Sequence, residues 1–240
     1  MRTKTLLASA LFGVLGSVPA LAQLHIIGYV NVTVGAGFGM IACPLIGSPD
    51  NTVGTLLDNA NGDYNGDAVY FYNPGTGGFD VDKALPIGDG GTTNANGWLF
   101  GGTNVLAPGA ACWFQNAQSN AVTITFVGEI PEGFLTNTLV PGYNLVSSIL
   151  PTSGDLCTNS PLSLTNYNEG DAIYTYSGGS FTIFQSGTGR RQGGYGYSQT
   201  PGGKGDWSSA GDPVLTFPCQ GFWYYNSGPT IEWVVYYEAE

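Results

Sequence analysis

The sequence predicts an all-β protein of two tandem homologous antiparallel units, each a sandwich or a partly open barrel. Three observations carry that expectation. First, blocks of sequence return in the same order, and an ordered internal repeat makes each copy a folding unit. Second, apolar residues alternate with a period of two, as in Val69/Phe71 against Tyr70/Tyr72, which is the spacing of a half-buried strand. Third, nearly every connection is turn chemistry: Asn73-Pro74-Gly75, Ser177-Gly178-Gly179-Ser180, Pro108-Gly109 and Asn226-Ser227-Gly228-Pro229.

In chain order, residues 1–22 read as a secretory signal: Arg2 and Lys4, the apolar run from Leu6 to Val18, then small residues Ala20-Leu21-Ala22. The run is shorter than the roughly 20 residues of a membrane span. The expectation is an exported chain, extracellular or at the cell surface with the periplasm as the alternative, and with no membrane span once the leader is removed. Unit 1 is assigned to residues 23–130 and unit 2 to residues 131–240.

The first repeated block is Ala36-Gly37-Phe38-Gly39-Met40-Ile41-Ala42-Cys43-Pro44-Leu45, matched by Pro141-Gly142-Tyr143-Asn144-Leu145-Val146-Ser147-Ser148-Ile149-Leu150. Size and polarity persist where identity does not. Short helices are expected at 53–59 and at 162–164. Next comes Gly66-Asp67-Ala68-Val69-Tyr70-Phe71-Tyr72, returning as Gly170-Asp171-Ala172-Ile173-Tyr174-Thr175-Tyr176. The matched aspartates read as turn residues bonding their own backbone. Trp98 then matches Trp207, and Pro108–Asn116 (PGAACWFQN) matches Pro218–Asn226 (PCQGFWYYN). Trp113 and Trp223 repeat within that strand and are expected in the core. Each unit closes with a β-rich run, Val122–Val127 and Ile231–Tyr237.

Ile27-Gly28-Tyr29-Val30 resembles Val127-Gly128-Glu129-Ile130, which suggests that the last strand of one unit serves as the first of the next. The C-terminal strand would then have no successor, leaving an edge for self-assembly.

Composition narrows function. The formal net charge is -11, from 17 acidic and 6 basic residues. Nucleic acid is therefore a poor partner, because phosphate binding needs clustered Lys and Arg. Charged residues make up 10% of the chain against roughly 25% in typical soluble domains, so solubility rests on Asn, Ser, Thr and Gly. His25 is the sole histidine, which leaves Ser or Cys nucleophiles without a base. No catalytic residue is assigned.

Four cysteines in an exported chain allow two disulfides; the expected pairs are Cys43 with Cys112 and Cys157 with Cys219, with buried free thiols as the alternative. Asp63, Asn65 and Asp67 have the alternating oxygen ligands of a calcium loop, but no Gly follows Asp67 and no Glu stands at the twelfth position. Calcium is thus a weak candidate against a plain Asn/Gly turn. The second copy inserts a Gly-rich connection at 187–207. Arg190, Arg191, Tyr195, Tyr197 and Trp207 there suit stacking and hydrogen bonding to an extracellular glycan.

These motifs, Gly28-Tyr29-Val30-Asn31, Gly37-Phe38 through Leu45, the Gly-Asp strand and the Pro-Gly turn entering an aromatic strand, resemble a group of uncharacterised exported bacterial β-repeat proteins. The resemblance covers most of the chain after the leader and implies location and architecture, with no catalytic residues to carry over. Cys43 and Cys219 depart from the group's usual pattern. The resulting expectation is a non-enzymatic surface or extracellular-matrix protein acting in adhesion, packing or assembly; the alternative is a carbohydrate-binding module using the unit 2 loop.

Overall fold

The computed structural model describes residues 26–88, 90–156, 161–164, 166–186, 207 and 212–238. Within them the chain is almost wholly β, in several antiparallel sheets with no closed barrel, a sandwich-like fold.

Unit 1 contains β1 (Ile27–Val34), β2 (Gly37–Ile41), α1 (Val53–Leu56), β3 (Ala68–Asn73), β4 (Gly78–Lys83), β5 (Cys112–Asn116) and β6 (Val122–Glu129). Strands β2-β5-β3-β4 form one sheet, and β1 pairs with β6 in a second. Unit 2 contains β7 (Gly133–Leu139), β8 (Gly142–Val146), β9 (Gly154–Asp155), β10 (Ala172–Ser177), β11 (Ser180–Gln185), β12 (Val214–Leu215), β13 (Phe222–Asn226) and β14 (Ile231–Tyr237). Its sheet order β8-β13-β10-β11 and its β7-β14 pair reproduce unit 1 strand for strand, and β9-β12 is an addition.

In each unit the two-stranded sheet covers one face of the four-stranded sheet. Val32, Val34, Ile124 and Phe126 from β1 and β6 pack on Ile41, Val69, Cys112 and Phe114. Leu139, Ile231, Trp233 and Val235 from β7 and β14 pack on Val146, Ile173, Phe222 and Tyr224. The inward residues of β6 alternate strictly with exposed ones, as a strand with one wet face requires.

The repeated asparagine ending each aromatic strand ties the two layers together. Asn116 Nδ2 donates to Val34 O (3.0 Å) and Asn120 O (2.8 Å), while Asn226 Nδ2 donates to Leu139 O (2.8 Å) and Pro229 O (2.8 Å). Their Oδ1 atoms accept from Gln118 N and Gly228 N, both at 2.9 Å. Each is a buried amide with donors and acceptor satisfied.

Three sequence expectations change. The helix at 53–59 is a single turn, because Leu57 leaves helical dihedrals and Asn59 N bonds Asn96 O instead (2.9 Å). Residues 162–164 are not helical; Leu162 and Leu164 are buried in the unit 2 core. The last strand of unit 1 does not open unit 2. Val127-Gly128-Glu129 instead pairs back onto Tyr29-Gly28-Ile27, and the separate strand β7 begins unit 2 and pairs with β14. The likeness between those segments thus belongs to two antiparallel partners, with Gly28 opposite Gly128.

Candidate functional site

The aromatic strands have two apolar faces. In β5, Cys112, Phe114 and Asn116 point into the unit 1 core, while Trp113 and Gln115 point the other way and are half-buried. Phe38 and Met40 on β2, Tyr70 and Tyr72 on β3, and Phe79 and Val81 on β4 share that outer face by the parity of the ladder. Unit 2 presents the equivalent face through Tyr143, Leu145, Tyr174, Tyr176, Phe181, Ile183 and Trp223.

The two outer faces meet along one edge, and the contact is reciprocal. Tyr72 of unit 1 meets Trp223 of unit 2 at 4.7 Å and 80°; their equivalents Tyr176 and Trp113 meet at 4.9 Å and 79°. Phe79 lies 6.2 Å from Trp223, and Phe181 lies 6.1 Å from Trp113. The backbone follows the same rule: Ile41 bridges Gln220, and Val146, equivalent to Ile41, bridges Ala110, equivalent to Gln220. Residue i touching j′ while i′ touches j is the signature of a two-fold, self-complementary interface, here folded into one chain. Met40, Ala42, Ala111 and Leu145 form its buried centre. Gly221 sits at that centre, where a Cβ would stand 2.9 Å from Ala111 Cβ and 3.0 Å from Met40 Cβ.

The contact leaves part of both faces uncovered, with Phe38, Phe79 and Phe181 exposed beside it. A groove of about 470 Å³ opens there, lined by Phe38, Tyr70, Phe79, Trp113, Tyr176 and Phe181. Phe38, Tyr70, Phe79 and Trp113 come from unit 1 and Tyr176 and Phe181 from unit 2, so both units contribute to the groove. Phe38, Phe79, Val81, Tyr143, Phe181 and Ile183 are all exposed. At the rim the Tyr70 hydroxyl donates to Gln115 Oε1 (2.6 Å).

Sequence reasoning placed Trp113 and Trp223 in the core; they are half-buried at the junction. The signal was present in Cys112-Trp113-Phe114, where consecutive apolar residues put a large or apolar side chain on each face, as in strands covered on both sides. Among the residues expected to bind glycan, Arg190, Arg191, Tyr195 and Tyr197 lie outside the described residues. Trp207 is buried, bridged to Ser186 and packed on Tyr167 at 5.2 Å. Trp98 holds the equivalent place in unit 1, bridged to Ala84, with its Nε1 donating to Leu57 O (2.7 Å).

The residues considered for calcium serve the turn in three different ways. Asp67 Oδ1 accepts from Ala117 N (2.8 Å), Asn65 Oδ1 accepts from Asn59 Nδ2 (2.9 Å), and the Asp63 carbonyl accepts from Gln118 Nε2 (2.9 Å). Asp67 and Asp171 clamp the ends of β5 and β13, a longer reach than the expected local turn. Asp171 Oδ1 accepts from Ser227 N (2.7 Å) and Ser227 Oγ (2.9 Å), and its Oδ2 accepts from Asn168 N (2.7 Å) and the Tyr224 hydroxyl. In unit 1 the tyrosine is replaced by Phe114, and Asp67 Oδ2 is buried without a partner. Burial accordingly pushes the Asp67 carboxyl above its ordinary value.

The expected Cys43–Cys112 disulfide is not formed. Cys43, Cys112 and Cys219 are buried free thiols, and Cys157 lies outside the described residues. Cys112 stands opposite Ile41 in the β2–β5 ladder. Cys219 belongs to unit 2 by sequence, yet it is buried in the unit 1 core beside Cys43. The pairing expected within each unit overlooked this exchange across the junction.

No family model, curated protein or solved structure matches this chain.

Proposed function

We propose that this is an exported, non-enzymatic surface or extracellular-matrix protein acting in adhesion or assembly, with the aromatic junction as its contact surface. The reading rests on the apolar groove face left exposed at the junction, with Phe79 and Phe181 about 45% accessible. Scattered single apolar residues are ordinary on a protein surface, whereas a contiguous aromatic patch marks an interaction site. The groove keeps its shape because its floor rests on two ladders and the reciprocal Trp–Tyr contacts, so a partner meets a preformed surface.

A second reading is favoured by the Tyr70–Gln115 pair at the groove rim. Polar partners beside aromatic rings suit a sugar, whose C–H faces stack while its hydroxyls bond. On this reading the glycan is held at the junction.

The test uses purified full-length protein with Phe79→Ser and Phe181→Ser combined, both on exposed strand positions. Binding to the cell-surface fraction of the source cells, sedimentation at high concentration and a glycan array are measured against wild type. Loss of surface binding or self-association supports the first reading, and loss of a glycan signal supports the second. Unchanged binding in every assay overturns the assignment to this groove.

A further inference from the structure

One of the two reciprocal backbone junctions carries chemistry that the other lacks. Where Ile41 bridges Gln220 antiparallel, the register sets Ala42 opposite Cys219 and brings Cys43 one step along. Alternation would point Cys219 with Ala42, into the junction. Cys219 instead has φ 69, and it is the sole non-glycine residue with positive φ among the described residues. Its side chain is buried with Cys43 in the unit 1 core, while Ala42 stays in the junction cluster.

The equivalent junction supplies an internal control. There Val146 bridges Ala110, and Gly109, with φ 91, holds the place of Cys219. Ser148 holds the place of Cys43: Ser148 Oγ donates to Leu150 O (2.8 Å), as Cys43 Sγ donates to Leu45 O (3.4 Å). This backbone position therefore suits glycine, and unit 2 has a cysteine there, beside a cysteine of unit 1 that stands in a serine's place. Both replacements fall at the same junction.

We propose that Cys43 and Cys219, free thiols in this structure, are oxidised to a disulfide that staples unit 1 to unit 2, made as the units dock. The reaction is thiol–disulfide exchange with a small-molecule or protein disulfide. The Cys43 thiol loses its proton, its sulfur attacks the donor's S–S bond, and one donor thiol leaves. The Cys219 sulfur, also deprotonated, attacks the Cys43 side of the mixed disulfide and releases the second donor thiol. The cysteine pair is thereby oxidised by two electrons and the donor disulfide is reduced to two thiols.

Cys43 is the partner of choice because it directly follows Ala42, which the Ile41–Gln220 bridge sets opposite Cys219, and both cysteines are buried in the same core, whereas Cys112 stands across the β2–β5 ladder from Ile41. Burial lifts the Cys43 thiol to about 11 and the Cys219 thiol to about 12. In the closed molecule both thiols are protonated and shielded, so exchange belongs to the docking stage. Burial then also shields the finished bond from reductants. The loop it closes takes in most of both units, which places its effect on the unfolded chain among the larger ones.

The test is refolding of the full chain, without its leader, in reduced and oxidised glutathione. The sample is quenched in acid, alkylated, digested and mapped without reductant. A linked pair of Cys43 and Cys219 peptides is expected, and it should persist in Cys112→Ala. Four alkylated cysteines, or a link from Cys43 to Cys112 or from Cys219 to Cys157, would overturn the proposal. Cys219→Gly installs the residue of the equivalent junction and is expected to fold. Reductant present during refolding should lower the thermal midpoint of wild type and leave that of Cys219→Gly unchanged; equal responses would rule out a staple.

Discussion

The Tyr224 hydroxyl donates to the Asp171 carboxylate at the buried end of the unit 2 core. In unit 1 Phe114 stands in the tyrosine's place, and one oxygen of the equivalent Asp67 has no hydrogen-bond partner. The two copies thus carry the same clamp in a complete and an incomplete form. Burial and Asp171 together hold the Tyr224 hydroxyl protonated, well above an ordinary tyrosine. Tyr224→Phe should therefore cost about 1–3 kcal/mol, the penalty of leaving a buried acceptor short of a donor. Denaturant unfolding, with near-ultraviolet circular dichroism to check the fold, measures it. An unchanged midpoint would mean that the bond contributes nothing net.

Asp67 carries a pH signature of opposite sense to a salt-bridged carboxylate. Its folded value is raised, so across the window from the unfolded value of about 3.9 up to that raised value the folded chain holds more protons than the unfolded one. Stability consequently falls as pH rises through the window and stays lowered above it. Asp67→Asn keeps an oxygen for Ala117 N and removes the titration. The variant should gain on wild type at neutral pH, and the gain should vanish below about pH 4. A pH-independent difference between the two proteins would show that Asp67 is not its source.

Asp171→Asn should behave differently despite the shared position. Asp171 accepts four hydrogen bonds, and an amide nitrogen facing Asn168 N would set donor against donor. A loss of about 1–3 kcal/mol is expected at neutral pH, read from the same unfolding midpoints.

The reciprocal aromatic pairs should have matching energies. Double-mutant cycles on Trp113/Tyr176 and on Tyr72/Trp223, each residue changed to leucine, should give couplings of about 0.5–1.5 kcal/mol. The two values should agree closely, since the pairs differ by only 0.2 Å in separation. A large coupling in one pair and none in the other would break the pseudo-symmetry energetically.

Gly221→Val tests the centre of the junction. Its branched side chain would enter space already held by Ala111 and Met40, an overpacking that costs about 1–3 kcal/mol. The lost stability should appear as easier separation of the units, measured by limited proteolysis. The exposed Gly35, where nothing lies within 4 Å of a Cβ, is the control and should tolerate alanine.

Much of the architecture was legible because duplication makes every matched residue a statement about both copies. Gly178-Gly179 turned out to be the tight hairpin turn its composition implied, with φ 57 and 84. The Trp98/Trp207 match marked a shared scaffold position, although Trp207 sits beside loop residues that looked like a binding surface. The junction was less legible. An aromatic on a strand reads as core whether its cover is the same unit's second sheet or another unit, so Trp113 and Phe114 looked alike though they serve different interfaces. The cysteines were misread for a related reason. Pairing them within units treats each repeat as closed, whereas the left-handed backbone at Cys219 turns a unit 2 side chain into unit 1, and that torsion leaves no mark in composition.

Because β1 pairs with β6 and β7 with β14, each unit is clasped by the two ends of its own sequence. Such long-range pairing slows folding, since a large loop must be ordered before its closing contacts form. During synthesis the apolar side of β1 therefore has no cover until β6 emerges roughly a hundred residues later, at the domain size typical of one cooperative unit. The growing chain spends that interval with an unpaired, sticky leading strand. The formal net charge of -11 sets neighbouring chains against one another, so the wait for β6, and not a want of repulsion, is what leaves the leading strand open to misassociation.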